Sequence, residues 1–134
     1  MSCNSAILVV NENTAQIPIN GLVPLGSVVR RFGKNCLLSG NGVVCDGQGY
    51  YQVDAVVTLI PSAVGTVNLT LLSDGVALVG STVSETVAAA NDSATLAISY
   101  MVRNRCCEDG QTLTLQVGGV AASASAVMFR VVKA

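Results

Sequence analysis

The sequence predicts an all-β fold, a single antiparallel sandwich of many short strands. Three observations predict it. Apolar and polar residues alternate at period two along most of the chain, glycine-containing turn pairs punctuate the alternating runs, and no stretch carries the 3.6-residue period of an amphipathic helix. At 134 residues the chain suits one domain.

Taken in order, residues 1–20 read as an N-terminal arm and first strand, with the apolar run "AILVV" at 6–10, and residues 21–134 as one sandwich domain. In "YYQVDAVVTLI" (50–60), Tyr51, Val53, Ala55, Val57 and Leu59 share one face, while Tyr50, Gln52, Asp54 and Thr58 share the other. "TVNLTLL" (66–72) sets Val67, Leu69 and Leu71 against Thr66, Asn68 and Thr70. "TLAISYMVR" (95–103) groups Leu96, Ile98, Tyr100 and Val102, and "TLTLQV" (112–117) groups Leu113, Leu115 and Val117. "AVMFRVV" (126–132) closes with Val127, Phe129 and Val131 opposite Met128 and Arg130. Such alternation marks half-buried antiparallel strands. "ETVAAAND" (85–92) alone has helical composition, but its place between strands predicts a loop or another short strand.

Between the runs stand Asn20-Gly21, Asn41-Gly42, Asp46-Gly47, Asp74-Gly75, Asp109-Gly110 and Gly118-Gly119, each offering the positive φ that tight turns require. This punctuation favours a sandwich or jelly roll over an α/β fold. The turn near residue 41 decides a cysteine pairing. A Gly40-Asn41 turn, or a four-residue loop over 39–42, sets Cys36 opposite Cys45, close enough for a cross-strand disulfide. The Asn41-Gly42 turn that residue preferences favour opposes Leu38 to Cys45 instead, leaving small buried thiols in a reduced protein.

Composition bounds the function. Charged residues make up 11% of the chain against 51% hydrophobic, which suits a subunit that hides further surface by assembling. A net charge of −1 with scattered Lys and Arg gives no basic footprint, so no nucleic-acid partner is expected. The longest apolar runs fall far short of a membrane span, so no membrane insertion is expected, and "MSCNSAILVV" lacks the pattern of a secretory signal. Synthesis and folding in a cytosol are therefore expected, where thiols are kept reduced and the five cysteines would oxidise only after release.

The catalytic inventory is negative. Without histidine the chain builds no Ser-His-Asp triad, Cys-His pair or mixed Cys/His zinc site. "GNGVVCDG" (40–47) matches a nucleotide-binding glycine loop for three residues only, with Cys45 at the third glycine position and no helix after it. Carboxylates fall mainly in turns, and Asp92 and Asp109 are calcium candidates without a ligand-spaced loop. No enzyme activity and no cofactor are expected.

The series "GQGYYQVDAVVTL", "GTVNLTLLSDGVALVG", "LAISYMVR" and "AVMFRVVKA" resembles the jelly roll of the tumour-necrosis-factor and complement-head superfamily over about residues 43–134. The preceding "IPINGLVPLGSVVRRFG" resembles the opening of bacterial members, the heads of collagen-like spore-surface glycoproteins and of phage fibres. The resemblance implies a jelly-roll domain over 21–134, with Gly49, Tyr51 and Val53 as core residues and Asp74-Gly75 as a hairpin turn. It also implies a compact homotrimer, in which outward-facing Tyr50, Gln52, Val56, Leu72 and Met101 would be covered. Residues 1–20 carry no collagenous Gly-X-Y repeat, so a stand-alone trimer or a cap attached to another component is expected.

"RNRCCEDG" (103–110) falls where the strand through Val102 runs out into a turn. Alternation sends Cys106 toward the core and sets Arg103, Arg105 and Cys107 on the face of Met101. That face is a candidate trimer seam, where three copies of the arginines would suit an anion and three thiolates a metal.

The expected role is a structural or adhesive trimeric head displayed on a spore surface or virion, its loops meeting a surface glycan or protein receptor. The alternative is a self-assembling filament or coat subunit, cross-linked through an N-terminal arm by an intermolecular bond at Cys3.

Overall fold

The computed structural model describes residues 5–33, 35–89, 91–104 and 110–133. Among them lie β1 (Ala6–Asn11), β2 (Ala15–Ile17), β3 (Ser27–Phe32), β4 (Cys36–Ser39), β5 (Gly42–Cys45), β6 (Gly49–Pro61), β7 (Gly65–Ser73), β8 (Val76–Ala77), β9 (Val83–Val87), β10 (Ala94–Asn104), β11 (Gln111–Gly118) and β12 (Ala122–Lys133). No described residue is helical.

The strands form two antiparallel sheets. The first runs β10-β6-β12-β1-β3, with β2 paired to the start of β12; the second runs β4-β5-β11-β7-β8, with β9 also on β7. Neighbours in space come from distant parts of the chain, as in a jelly roll. The long strands β6, β10 and β12 are adjacent in the first sheet, and the inner face of β6 (Tyr51, Val53, Ala55, Val57, Leu59) is fully buried. The inner residues of β7 (Val67, Leu69, Leu71) and β11 (Leu113, Leu115, Val117) close the core from the second sheet. Phe129 and Tyr51 are its largest side chains.

Two turns show how local chemistry sets register. Asp74 (φ 51°) and Gly75 (φ 83°) both take positive φ between the paired Ser73 and Val76, the two-residue primed turn that Asp-Gly favours. The Asp74 carboxylate accepts the Thr112 amide at 2.9 Å, tying this hairpin to β11. The second turn departs from expectation. Ser39 pairs with Gly42, so the turn is Gly40-Asn41, not Asn41-Gly42, and Cys36 stands opposite Cys45. Gly40 supplies the positive φ (58°) in open space. Gly42 is needed inside the ladder, because a Cβ there would lie 2.6 Å from the Thr112 methyl and 2.9 Å from that of Thr114.

Two further expectations are corrected. Leu72 is not uncovered but 6% exposed, on the outer side of the second sheet between Ala77 of β8 and Thr114 of β11. Gly49 is half-buried and opens β6 at φ 141°, so only Tyr51 and Val53 of the trio belong to the core. The "ETVAAAND" stretch (85–92) contributes only the last three residues of β9, Glu85, Thr86 and Val87.

Candidate subunit interface

Strand alternation gives the first sheet an outer face as continuous as its core face. Register lays it out in rows. Gln52 lies between Met101 and Val132, and Ala6 and Phe32 continue that row. Asp54 lies between Ser99 and Arg130, followed by Leu8 and Arg30. Val56 lies between Ala97 and Met128, followed by Val10. Phe32 is 59% exposed and Met101 58%, while Leu8, Val10, Met128 and Val132 are half-buried. A groove of about 200 Å³ runs among Ala6, Leu8, Phe32, Arg30 and Arg130.

The charges on this face are arranged within it. The Arg130 guanidinium donates to the Asp54 carboxylate at 2.5 Å and holds its carboxyl below the usual carboxylate range. Arg103 sits over the ring of its cross-strand partner Tyr50, 5.6 Å from the centroid, a cation–π contact. The carboxylate is engaged by a cation on the neighbouring strand, so the face offers an apolar surface crossed by a neutralised pair and two further guanidiniums.

Of the residues singled out in the sequence, Tyr50, Gln52, Val56, Met101 and Arg103 lie together at the β6–β10 side of this face, all exposed. Leu72 lies on the other sheet. Arg105, Cys107 and Cys3 lie outside the described residues, as do Cys106 and Asp109, so the proposed seam extends beyond what is described. Sequence reasoning missed the Asp54–Arg130 pair and the contribution of Leu8, Phe32 and Val132. The two charges are 76 residues apart, and only the β6–β12 register joins them.

Cys36 and Cys45 occupy the opposite sheet, facing its core side, as free thiols. Beside them the Tyr51 hydroxyl reaches the carbonyls of Asp46 and Gly47, both at 2.9 Å. Among the described residues, no three His, Cys, Asp or Glu side chains come together as a metal site.

No family model matches the chain, and no curated protein matches it by sequence. Solved structures do match. Murine APRIL superposes with a TM-score of 0.73 at 14% identity, covering 98% of this chain and 100% of that one. The globular domain of the zebrafish complement 1qA protein superposes with a TM-score of 0.70 at 14% identity, covering 93% and 94%. The PRD1 vertex protein P5 superposes with a TM-score of 0.64 at 17% identity, covering 96% and 95%. The fold is a TNF-like jelly roll. In this TNF-like jelly roll the core residues Tyr51 and Val53 and the Asp74-Gly75 turn take the places that the sequence resemblance implies. The apolar outer face belongs to the sheet that holds both chain ends, through β1 and β12.

Proposed function

We propose that the chain is a non-enzymatic structural or adhesive head that assembles as a homotrimer and is displayed on a spore surface or a virion. One observation carries the reading: the outer face of the first sheet presents Met101, Val132 and Phe32 along one row and Val56, Met128 and Val10 along another, joined through Leu8 and crossed by the Asp54–Arg130 pair. Fold similarity to a complement head and to a phage vertex protein supports it. A glycan or a protein receptor at the loops is the ligand class for the adhesive role.

Size-exclusion chromatography with light scattering tests the assembly. Three chains per particle are expected, and Met101→Arg should give a folded monomer or a weakened trimer. A wild-type monomer at micromolar concentration would sink the proposal. Thr114→Arg, on the outer face of the second sheet, should leave the trimer intact.

A second reading has its own support. All six residues of the edge strand β3 are exposed, Val28, Val29 and Phe32 among them, which suits addition of a strand from another copy. On that reading the chain is a filament or coat subunit whose arm is cross-linked through Cys3. Non-reducing electrophoresis of assembled particles should then show ladders that Cys3→Ser abolishes.

A further inference from the structure

The Cys36–Cys45 rung is shaped for a covalent bond. The Asp46 amide donates to the Asn35 carbonyl at 2.7 Å, so the 35–46 rung is hydrogen-bonded, and the Ser39–Gly42 rung closes the turn. Rungs of an antiparallel ladder alternate, which makes 36–45 the non-hydrogen-bonded kind, with opposed Cα atoms about 4.5 Å apart. A disulfide spans Cα separations of about 4.4 to 6.8 Å. The backbone carbonyls agree. That of Cys36 accepts Arg31 Nε at 2.7 Å and that of Cys45 accepts Asn104 Nδ2 at 2.7 Å, both engaged by side chains of other strands and not by each other's strand. Both sulfurs are buried on the same face, at 1% and 0% exposure.

We propose that Cys36 and Cys45 form an oxidisable dithiol that closes to a disulfide when the protein meets a peroxide-class oxidant, with Cys36 attacking and Cys45 resolving. The Cys36 thiolate displaces hydroxide from hydrogen peroxide and becomes a sulfenic acid. The Cys45 thiol then attacks that sulfur, forming the S–S bond and releasing water. In sum, two thiols and one peroxide give one disulfide and two waters.

The roles follow from the surroundings. The contact between the two thiols, with Arg31 held at the Cys36 carbonyl and Lys133 nearby, pulls the Cys36 thiol down against its burial, whereas the same contact and burial push that of Cys45 up. Access follows from topology: β4 is the outermost strand of its sheet and only four residues long, so fraying admits a small oxidant. The bond would pin that edge to β5 with the flanking hydrogen-bonded rungs unchanged. A chain reduced in the compartment of its synthesis would thus be stapled on release.

The test uses the full chain with Cys3, Cys106 and Cys107 replaced by Ser, treated with equimolar hydrogen peroxide. Expected are an intact mass lower by two hydrogens, a peptide map linking Cys36 to Cys45, and a raised urea midpoint that reductant restores. In that background, Cys45→Ser should stop at a sulfenic acid captured by dimedone on Cys36, and Cys36→Ser should capture none. Should either variant fail to fold, the map and the reversible midpoint shift still decide. Two thiols still open to alkylation, after a dose that forms the bond in the urea-unfolded chain, would overturn the proposal. Capture on Cys45 alone would overturn the assignment of roles.

Discussion

Replacing Tyr51 by phenylalanine removes one oxygen from the end of the core where β5 passes into β6, and its cost can be worked from the partners. The hydroxyl is shared between the carbonyls of Asp46 and Gly47. Asp46 keeps a second donor, the Asn35 side-chain amide, and the half-buried Gly47 can turn its carbonyl to water. The loss is therefore one neutral hydrogen bond, about 1 kcal/mol, and not the larger penalty of an orphaned buried group. At high pH the sign changes. Burial, with smaller contributions from Cys45, Cys36 and Asp46, pushes the Tyr51 hydroxyl from about 10 up to about 12. A folded-state value above the unfolded one means stability fully present below about pH 10 and lost as pH rises through about 12. By pH 12 the loss reaches about 2 kcal/mol, and the phenylalanine variant has nothing to ionise.

Wild type should thus exceed Tyr51→Phe by about 1 kcal/mol at pH 7 to 9, and the order should invert above about pH 11. Urea unfolding of both chains at pH 7, 9, 11 and 12, in reductant and at one protein concentration, measures the difference directly. A constant gap across that range would refute the buried, hydrogen-bonded phenol, and equal stability at pH 7 would refute the worth of its two contacts.

Three other outcomes follow. Val57→Asp or Leu69→Asp should abolish folding, read as loss of the strand signal in circular dichroism, because each sets an unpaired charge at a fully buried position. Asp54→Asn should cost about 0.2 to 1 kcal/mol at pH 7, since Arg130 is half exposed, with the difference fading as acid protonates the wild-type carboxylate below about pH 4; acid urea titrations check it. Gly42→Ala should destabilise by about 1 to 3 kcal/mol through its clash with Thr112 and Thr114, whereas Gly40→Asn, in open space at φ 58°, should be nearly neutral in the same melts.

The long strands were legible because one physical rule governs them. Tyr51 to Leu59, Val67 to Leu71, Leu113 to Val117 and Val127 to Val131 are buried at period two, the only pattern that lets a sheet bury one face. Where a second constraint acts, the rule fails. Leu72 shares the outward parity of Thr70 and Asn68, yet it is 6% exposed, and alternation alone does not report how far an outward side chain is covered. The Asn41-Gly42 preference is a real local term, yet the register sets Gly42 inside the ladder, where any side chain would meet β11. Of the candidate site, Tyr50, Val56, Met101 and Arg103 were legible from alternation within one strand. Phe32, Leu8 and Val132 were not, because they join the face only through β1, β3 and β12.

The two outer faces of the sandwich differ, and the difference bears on assembly. On the second sheet, hydroxyls meet beside β7, Thr66 with Thr86 at 3.0 Å and Thr70 with Thr82 at 2.9 Å, and Gln116 extends the Thr70 row on β11, while Leu37 and Val44 make the β4–β5 end apolar. The β7–β9 part of that surface keeps its hydrogen bonds in water and gains little from being covered. On the first sheet, the row from Met101 through Val132 and Ala6 to Phe32 lacks any charge, and the row beside it holds the Asp54–Arg130 pair, neutralised before any partner arrives, with Arg30 at its β3 end. Covering that face removes apolar area from water without stranding an unpaired carboxylate, and Arg30 and Arg103 stand on the edge strands β3 and β10, where a guanidinium at the rim keeps its water. The dithiol belongs to the hairpin at the edge of the other sheet, so closing it stiffens the subunit without touching the surface that subunits would share. Oxidation should accordingly raise the urea midpoint of a chain already made monomeric by Met101→Arg, which separates stapling within a subunit from cohesion between subunits.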